Sequence, residues 1–186
     1  MAVNRGKQFE QIIEQSFRKV PGVSIDRLHD QTTGYKGSSN ICDFIVYKEP
    51  YEYYIECKSV HGNTLSIYSN DPKHKYGNIT NTQWEKLIEK AKIEGVHAGI
   101  ICWWIDRDET WYIPIWVLYD ARVVCDDKSI NINHPHIIAN WTRISGKKKR
   151  VFFDYDMTTF FRNVKNEHSL DIEKLERIER EKYEHI

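Results

Sequence analysis

Residues 41–60 read Ile-Cys-Asp-Phe-Ile-Val-Tyr-Lys-Glu-Pro-Tyr-Glu-Tyr-Tyr-Ile-Glu-Cys-Lys-Ser-Val, and this stretch decides the fold. Ile41 to Tyr47 and Tyr53 to Val60 are rich in β-branched and aromatic residues and flank Lys48-Glu49-Pro50. That pattern predicts two strands joined by a turn. Each run also carries charge in the middle of apolar sequence. Asp43 interrupts the first run, and Glu56 and Lys58 alternate along the second. Successive strand side chains point to opposite faces, so Glu56 and Lys58 share one face while Ile55 and Cys57 enter the other layer. Asp is depleted in strands, so Asp43 costs stability there unless it has a task.

Upstream, Asn4 is placed to cap a helix whose apolar face is Phe9, Ile12, Ile13, Phe17 and Val20, and Pro21-Gly22 ends it. A strand over Val23 to Leu28 follows, then a polar loop, His29 to Asn40. Downstream, His61 to Asn78 reads mostly as loop, with a short strand at Thr64–Tyr68. A second helix has clear start signals: Thr80 and Gln83 fit a capping box, and Ile79 with Trp84 a hydrophobic staple. Trp84, Leu87, Ile88 and Ala91 form its buried stripe, and Gly95 stops it.

Val96 to Ile105 reads as a buried strand, Asp106–Glu109 as a turn, and Thr110–Ile115 as the next strand, with a short helix from Trp116. Trp141–Ile144 and Arg150–Tyr155 flank Ser145-Gly146-Lys147-Lys148-Lys149 as a late hairpin. Helices near Thr158–Val164 and Ser169–Tyr183 close the chain. This order predicts an α/β fold with a central mixed β-sheet flanked by helices. One domain spans residues 1–165, and residues 166–186 form a charged C-terminal helix appended to it.

Composition supports a packed domain: 186 residues, 40% hydrophobic and 29% charged. The longest apolar stretches, such as Ala98–Ile105, are too short to span a bilayer, and the first residues contain no apolar leader core. The expectation is a cytoplasmic protein without a membrane partner. Cys42, Cys57, Cys102 and Cys125 form no CxxC pair, so reduced, mostly buried thiols are expected rather than a zinc site. Net charge is zero, yet residues 140–165 carry seven Lys/Arg against two Asp/Glu, and residues 166–186 carry four against seven. A basic face can hide in such a balance.

Asp43 and Glu56 carry the chemistry. A hairpin brings their carboxylates together, and two adjacent carboxylates need a compensating cation. Mg²⁺ suits oxygen donors, keeps several waters and accepts phosphate oxygens, with Mn²⁺ able to substitute. The Lys58 ammonium beside a metal-bound water stabilises developing hydroxide and phosphorane-like charge. The competing reading is a surface strand of alternating charges; the lone Asp within a second apolar strand weighs against it. Glu10 lies on the flank of the first helix's apolar face, within reach of the sheet edge, or is a solvated surface glutamate. Lys147, Lys148, Lys149 and Arg150 are either phosphate contacts or an ordinary solvated turn.

Asn4-Arg5-Gly6-Lys7-Gln8-Phe9-Glu10, Asp43-Phe44, Glu56-Cys57-Lys58-Ser59 and Thr82-Gln83 together resemble the PD-(D/E)xK nuclease superfamily. Within it, their order over residues 4–115 is similar to the RecU-type Holliday-junction resolvases of Gram-positive bacteria and their phages. The resemblance implies a restriction-endonuclease-like fold and a structure-selective, Mg²⁺-dependent endodeoxyribonuclease, active as a homodimer on DNA such as four-way junctions. It implies Asp43, Glu56 and the Cys57 carbonyl as metal ligands, Lys58 as catalytic lysine, Glu10 as auxiliary acid and Gln83 as a residue orienting water or phosphate. Arg5, Lys7 and Lys36 join the Lys147–Arg150 run as candidate DNA contacts. The sequence departs from the family where a basic stalk precedes the catalytic aspartate: only His29–Asn40 stands there, with Lys36 its single Lys or Arg. Two other readings remain: a restriction- or repair-type nuclease on ordinary duplex, and a catalytically silent DNA-binding module.

Overall fold

The computed structural model describes residues 4–28, 40–67, 77–123, 125–133, 139–164, 173 and 175–181. Helix α1 (Arg5–Arg18) starts where Asn4 accepts the Lys7 N–H, which satisfies one of the orphan donors of its first turn. Its apolar stripe, Phe9, Ile13 and Phe17, is buried. Strands β1 (Val23–Arg27), β2 (Phe44–Lys48) and β3 (Tyr51–Val60) follow as antiparallel neighbours.

After the short strand β4 (Thr64–Ser66) comes α2 (Asn81–Ala91), opened by the complete Thr80–Gln83 capping box. Helix α2 is the crossover that lets β5 (Val96–Trp104) run parallel to β3. Strand β6 (Glu109–Pro114) returns antiparallel to β5 and leads into α3 (Ile115–Val123). Among the described residues the main sheet has six strands, ordered β1-β2-β3-β5-β6-β8, where β8 is Thr142–Arg143. Helix α4 (Met157–Val164) follows β10.

The sheet is mixed and covered on both faces. One layer packs α1 and α4 residues Phe9, Ile13, Phe17, Phe160 and Phe161 against Val46, Tyr53, Ile55 and Cys57. The other packs α2 and α3 residues Leu87, Ile88 and Leu118 against Tyr54, Ile100 and Trp104, and takes in Leu175. All nine residues of β5 are buried, the pattern of a strand with helices on both sides. Each buried Phe or Ile in these layers contributes about 1.5–3 kcal/mol of transfer free energy. Residues 175–181 are helical, and Glu179 pairs with Lys92 at the end of α2.

Two differences from the sequence reading matter. The late hairpin is not Trp141–Ile144 against Arg150–Tyr155. Thr142–Arg143 pairs with β6, and the hairpin is β9 (Gly146–Lys148) against β10 (Phe153–Tyr155). Gly146 explains the shift, since a Cβ there would lie 2.5 Å from the Asp154 carbonyl oxygen; the close approach puts glycine inside the ladder. Lys147 and Lys148 are therefore strand residues, not turn residues. Strand β7 (Ser129–Asn131), partner of β4, carried no signal of its own. Lys36 and the loop core 29–39, like Tyr68, lie outside the described residues.

Candidate active site

Strand β2 begins three residues later than its apolar run. Phe44 stands opposite Ile55 in the β2–β3 register, yet the Asp43 N–H also donates to the Ile55 carbonyl, at 3.1 Å. Two residues facing one is the pattern of a β-bulge, which re-aims side chains at strand ends. Freed from strict alternation, Asp43 Oδ2 accepts the Cys57 N–H at 2.7 Å. Its carbonyl accepts the Leu28 N–H, so the ends of β1, β2 and β3 are tied at Asp43.

Glu56 is a buried carboxylate, 4% exposed, on the α2 face of β3. Lys58 Nζ lies 2.7 Å from Glu56 Oε1, and Gln83 Nε2 donates to the same oxygen at 2.6 Å. No donor among the described residues meets Oε2. Burial pushes the Glu56 carboxyl up to about 7, the Asp43 charge pushes the same way, Lys58 opposes both, and Glu10 adds a smaller upward push. That direction is the signature of like charges gathered in a poorly solvated place, where a cation is favoured.

Gln83 does two things at once. Its Oε1 accepts the Thr80 N–H at 3.2 Å and so completes the capping box, while its Nε2 holds Glu56. The amide has a separate acceptor and donor, so the cap and the site role do not compete. Helix α2 is thereby anchored to the Glu56 carboxylate by its own first turn.

Glu10 reaches toward the site from the other layer. Its Oε2 accepts Arg27 Nη2 at 2.6 Å. Arg27 was not among the residues singled out from the sequence, although a signal existed. Val23, Ile25 and Arg27 share the face of β1 turned to α1, and a cation on an apolar face needs a partner. Glu10, Asp43, Glu56, Lys58 and Gln83 thus gather from α1, the β2 bulge, β3 and α2.

Among the described residues no three His, Cys, Asp or Glu side chains form a group able to hold a metal by themselves. The donor set is two carboxylates, Asp43 and Glu56, with Glu10 engaged by Arg27. Burial pushes the Cys57 thiol well up, so its sulfur stays protonated and only its carbonyl offers an oxygen. The Cys57 N–H points to Asp43, and a strand residue's N–H and C=O face the same side. Few hard oxygens beside a buried carboxylate would suit a cation that keeps its own waters, as Mg²⁺ does.

No family model matches the sequence, and no curated protein does. Solved structures do match. The chain is similar to a Holliday junction resolvase from the archaeal hyperthermophile Archaeoglobus fulgidus, whose structure has 1.6 Å resolution. The two share 15% sequence identity and a TM-score of 0.49, over 73% of this chain and 91% of that one.

The basic residues singled out from the sequence lie on separate elements. Arg5 and Lys7 are exposed on the first turn of α1. That turn abuts β3: a Cβ on Gly6 would lie 4.0 Å from Ser59 Oγ, one residue past Lys58. Lys147 to Arg150 are all exposed, but not equally available. Lys148 pairs with Asp108, and Lys149 lies 3.6 Å from Asp154, which also pairs with Lys19. Lys147 and Arg150 have no ion pair among the described residues. No helix of the described residues is long and apolar enough to cross a membrane.

Proposed function

We propose that this protein is a divalent-metal-dependent endodeoxyribonuclease with a restriction-endonuclease-like fold, selective for branched DNA of the four-way-junction kind. The observation that carries the reading is the bulge that sets Asp43 beside Glu56 while Lys58 contacts the same Glu56 carboxylate. Asp43, Glu56 and the Cys57 carbonyl would hold Mg²⁺ or Mn²⁺, which when bound supplies an acidified water and charge neutralisation at the phosphate. Lys58 places an ammonium where negative charge accumulates during attack. Gln83 keeps the Glu56 carboxylate turned to its task, and Glu10 serves as an auxiliary acid. Residues 1–165 carry the activity, with 166–186 as a charged appendage, and two copies act together, one on each strand.

The test is a cleavage panel of four-way junctions, flaps, linear duplex and single strands, with Mg²⁺ or with chelator, for the natural protein and Glu56→Ala. Metal-dependent cutting of branched substrates, absent in Glu56→Ala, is expected. Undiminished cutting by Glu56→Ala in chelator overturns the site. Equal cutting of linear duplex moves the substrate to the restriction or repair class, and binding without any cutting makes the protein a silent DNA-binding module.

DNA contact by the basic residues follows the same reading, through release of counterions rather than base recognition. Lys147 and Arg150 meet phosphate without breaking an internal pair, whereas Lys148 and Lys149 must leave Asp108 and Asp154. The double change Lys147→Ala/Arg150→Ala is expected to flatten the log–log salt dependence of binding by about 0.9 per lost contact. Lys148→Ala/Lys149→Ala is expected to flatten it less. The reverse ranking in a salt titration on one duplex removes Lys147 and Arg150 from the interface.

A further inference from the structure

Arg27 ends β1 opposite Phe44, next to the bulge at Asp43. Its Nη2 donates to Glu10 at 2.6 Å, its Nη1 lies 3.7 Å from Glu14 Oε2, and its guanidinium lies over the Phe44 ring, 5.8 Å from the centroid. Arg27, Glu10 and Glu14 are each only about one-fifth exposed as side chains, at 23%, 22% and 19%. A planar fork with a ring on one face and carboxylates at two nitrogens has little rotamer freedom left. Partial burial keeps its charge interactions less screened than those of a surface pair. The residue after Arg27, Leu28, donates its N–H to the Asp43 carbonyl at 2.9 Å, so the Arg27–Glu10 pair sits at the strand end that carries Asp43.

We propose that Arg27 is a positioning residue: it fixes the Glu10 carboxylate beside the Asp43–Glu56 pair and neutralises it there. The inference rests on the nuclease reading of that site and adds the device that governs its third acid. Arg27 acts through Glu10 and not on DNA, because a phosphate would have to displace a carboxylate already in place. Two consequences separate this role from its rivals. First, Arg27 and Glu10 act as one unit, so removing both costs no more than removing the more important one. Second, removing Arg27 takes one positive charge away from the neighbourhood of the metal donors, which strengthens the hold on a divalent cation.

The experiment uses the full chain and the variants Arg27→Ala, Arg27→Lys, Glu10→Gln, Arg27→Ala/Glu10→Gln and Glu56→Ala. Readouts are kcat and KM on the substrate cut best in the panel, Mn²⁺ affinity by calorimetry without DNA, and thermal melting. Arg27→Ala and Glu10→Gln are each expected to lower kcat by about tenfold to a hundredfold, the scale of a misplaced group, with KM little changed. The double variant should fall no further than the worse single, and Arg27→Lys should recover part of the loss. Mn²⁺ should bind several-fold more tightly to Arg27→Ala, and that gain should vanish in the double variant. Additive losses, or a rise in KM alone, make Arg27 a phosphate contact and overturn the proposal. A lower melting temperature with kcat and Mn²⁺ affinity unchanged makes it a packing residue and overturns it equally. Glu56→Ala separates the levels: if it binds Mn²⁺ and cuts as the natural protein does, the nuclease reading itself falls.

Discussion

If the proposed function holds, replacing Lys58 with alanine is expected to lower the rate of DNA cleavage by about a hundredfold to a thousandfold, the cost of removing one electrostatic stabiliser aimed at a transition state, and to leave DNA affinity nearly intact. The geometry explains the split. Lys58 Nζ lies 2.7 Å from Glu56 Oε1, and its side chain is only 20% exposed. It is tethered to the buried carboxylate and is not displayed as a surface charge. In the proposed reaction an ammonium held there would interact more strongly with charge that develops during attack than with the ground-state phosphate, and such interactions raise kcat rather than binding. Single-turnover cleavage in Mg²⁺ and equilibrium binding in chelator, on the same DNA, measure the two quantities separately. Parallel losses in both would make Lys58 an ordinary phosphate contact. Lys58→Met, which retains much of the aliphatic stem, tests whether lost packing contributes.

Below neutral pH the metal-free protein gains stability relative to Glu56→Gln, by about 3 kcal/mol across the full titration. Burial, first, and the Asp43 charge, second, raise the Glu56 carboxyl from its ordinary 4.5 to about 7. The sign follows from which state binds the proton more tightly. Below pH 4.5 both folded and unfolded chains carry it, and Glu56 contributes no pH dependence. Between pH 4.5 and 7 the unfolded chain has released the proton while the folded chain still holds it, so stability falls as pH rises. Above 7 the full penalty of a buried charge is in place. The expected result is a difference between natural protein and Glu56→Gln that shrinks or reverses from pH 4.5 to 8 in denaturant titrations. Mg²⁺ should restore the natural protein at pH 8, because a cation favours the ionised carboxylate, and should do little for Glu56→Gln. A pH-independent difference would mean that Glu56 ionises in the fold as easily as in water.

Several elements were legible in the sequence because local interactions decide them. Asn4 and the Thr80–Gln83 box start helices through hydrogen bonds to residues three positions away. The period-two alternation of Ile55, Glu56, Cys57 and Lys58 sends the charged pair and the apolar pair to opposite layers whatever the partners are. The run of β5, apolar but for His97, announces burial on both faces, and Asp43 and Glu56 announce themselves as carboxylates that apolar strands do not tolerate without purpose. Fold class and the core of the candidate site belong to this category.

Other features are decided between residues far apart in the chain, and no local pattern encodes them. Lys148 of the basic run meets Asp108, 40 positions away, and Asp154, which Lys149 also approaches, is taken by Lys19 from 135 positions away. The pairing of β4 with β7 joins two three-residue strands that α2, β5, β6 and α3 separate in the chain. Arg27 and Glu10 are linked only once β1 packs under α1. The bulge at Asp43 arises where a strand end must satisfy both the Ile55 carbonyl and the Cys57 N–H. Sequence alone determined the residues that carry charge and the faces they occupy, because propensity and periodicity act over a few residues. The tertiary structure alone decided which charges meet, because an ion pair or a bulge depends on where a distant backbone comes to lie.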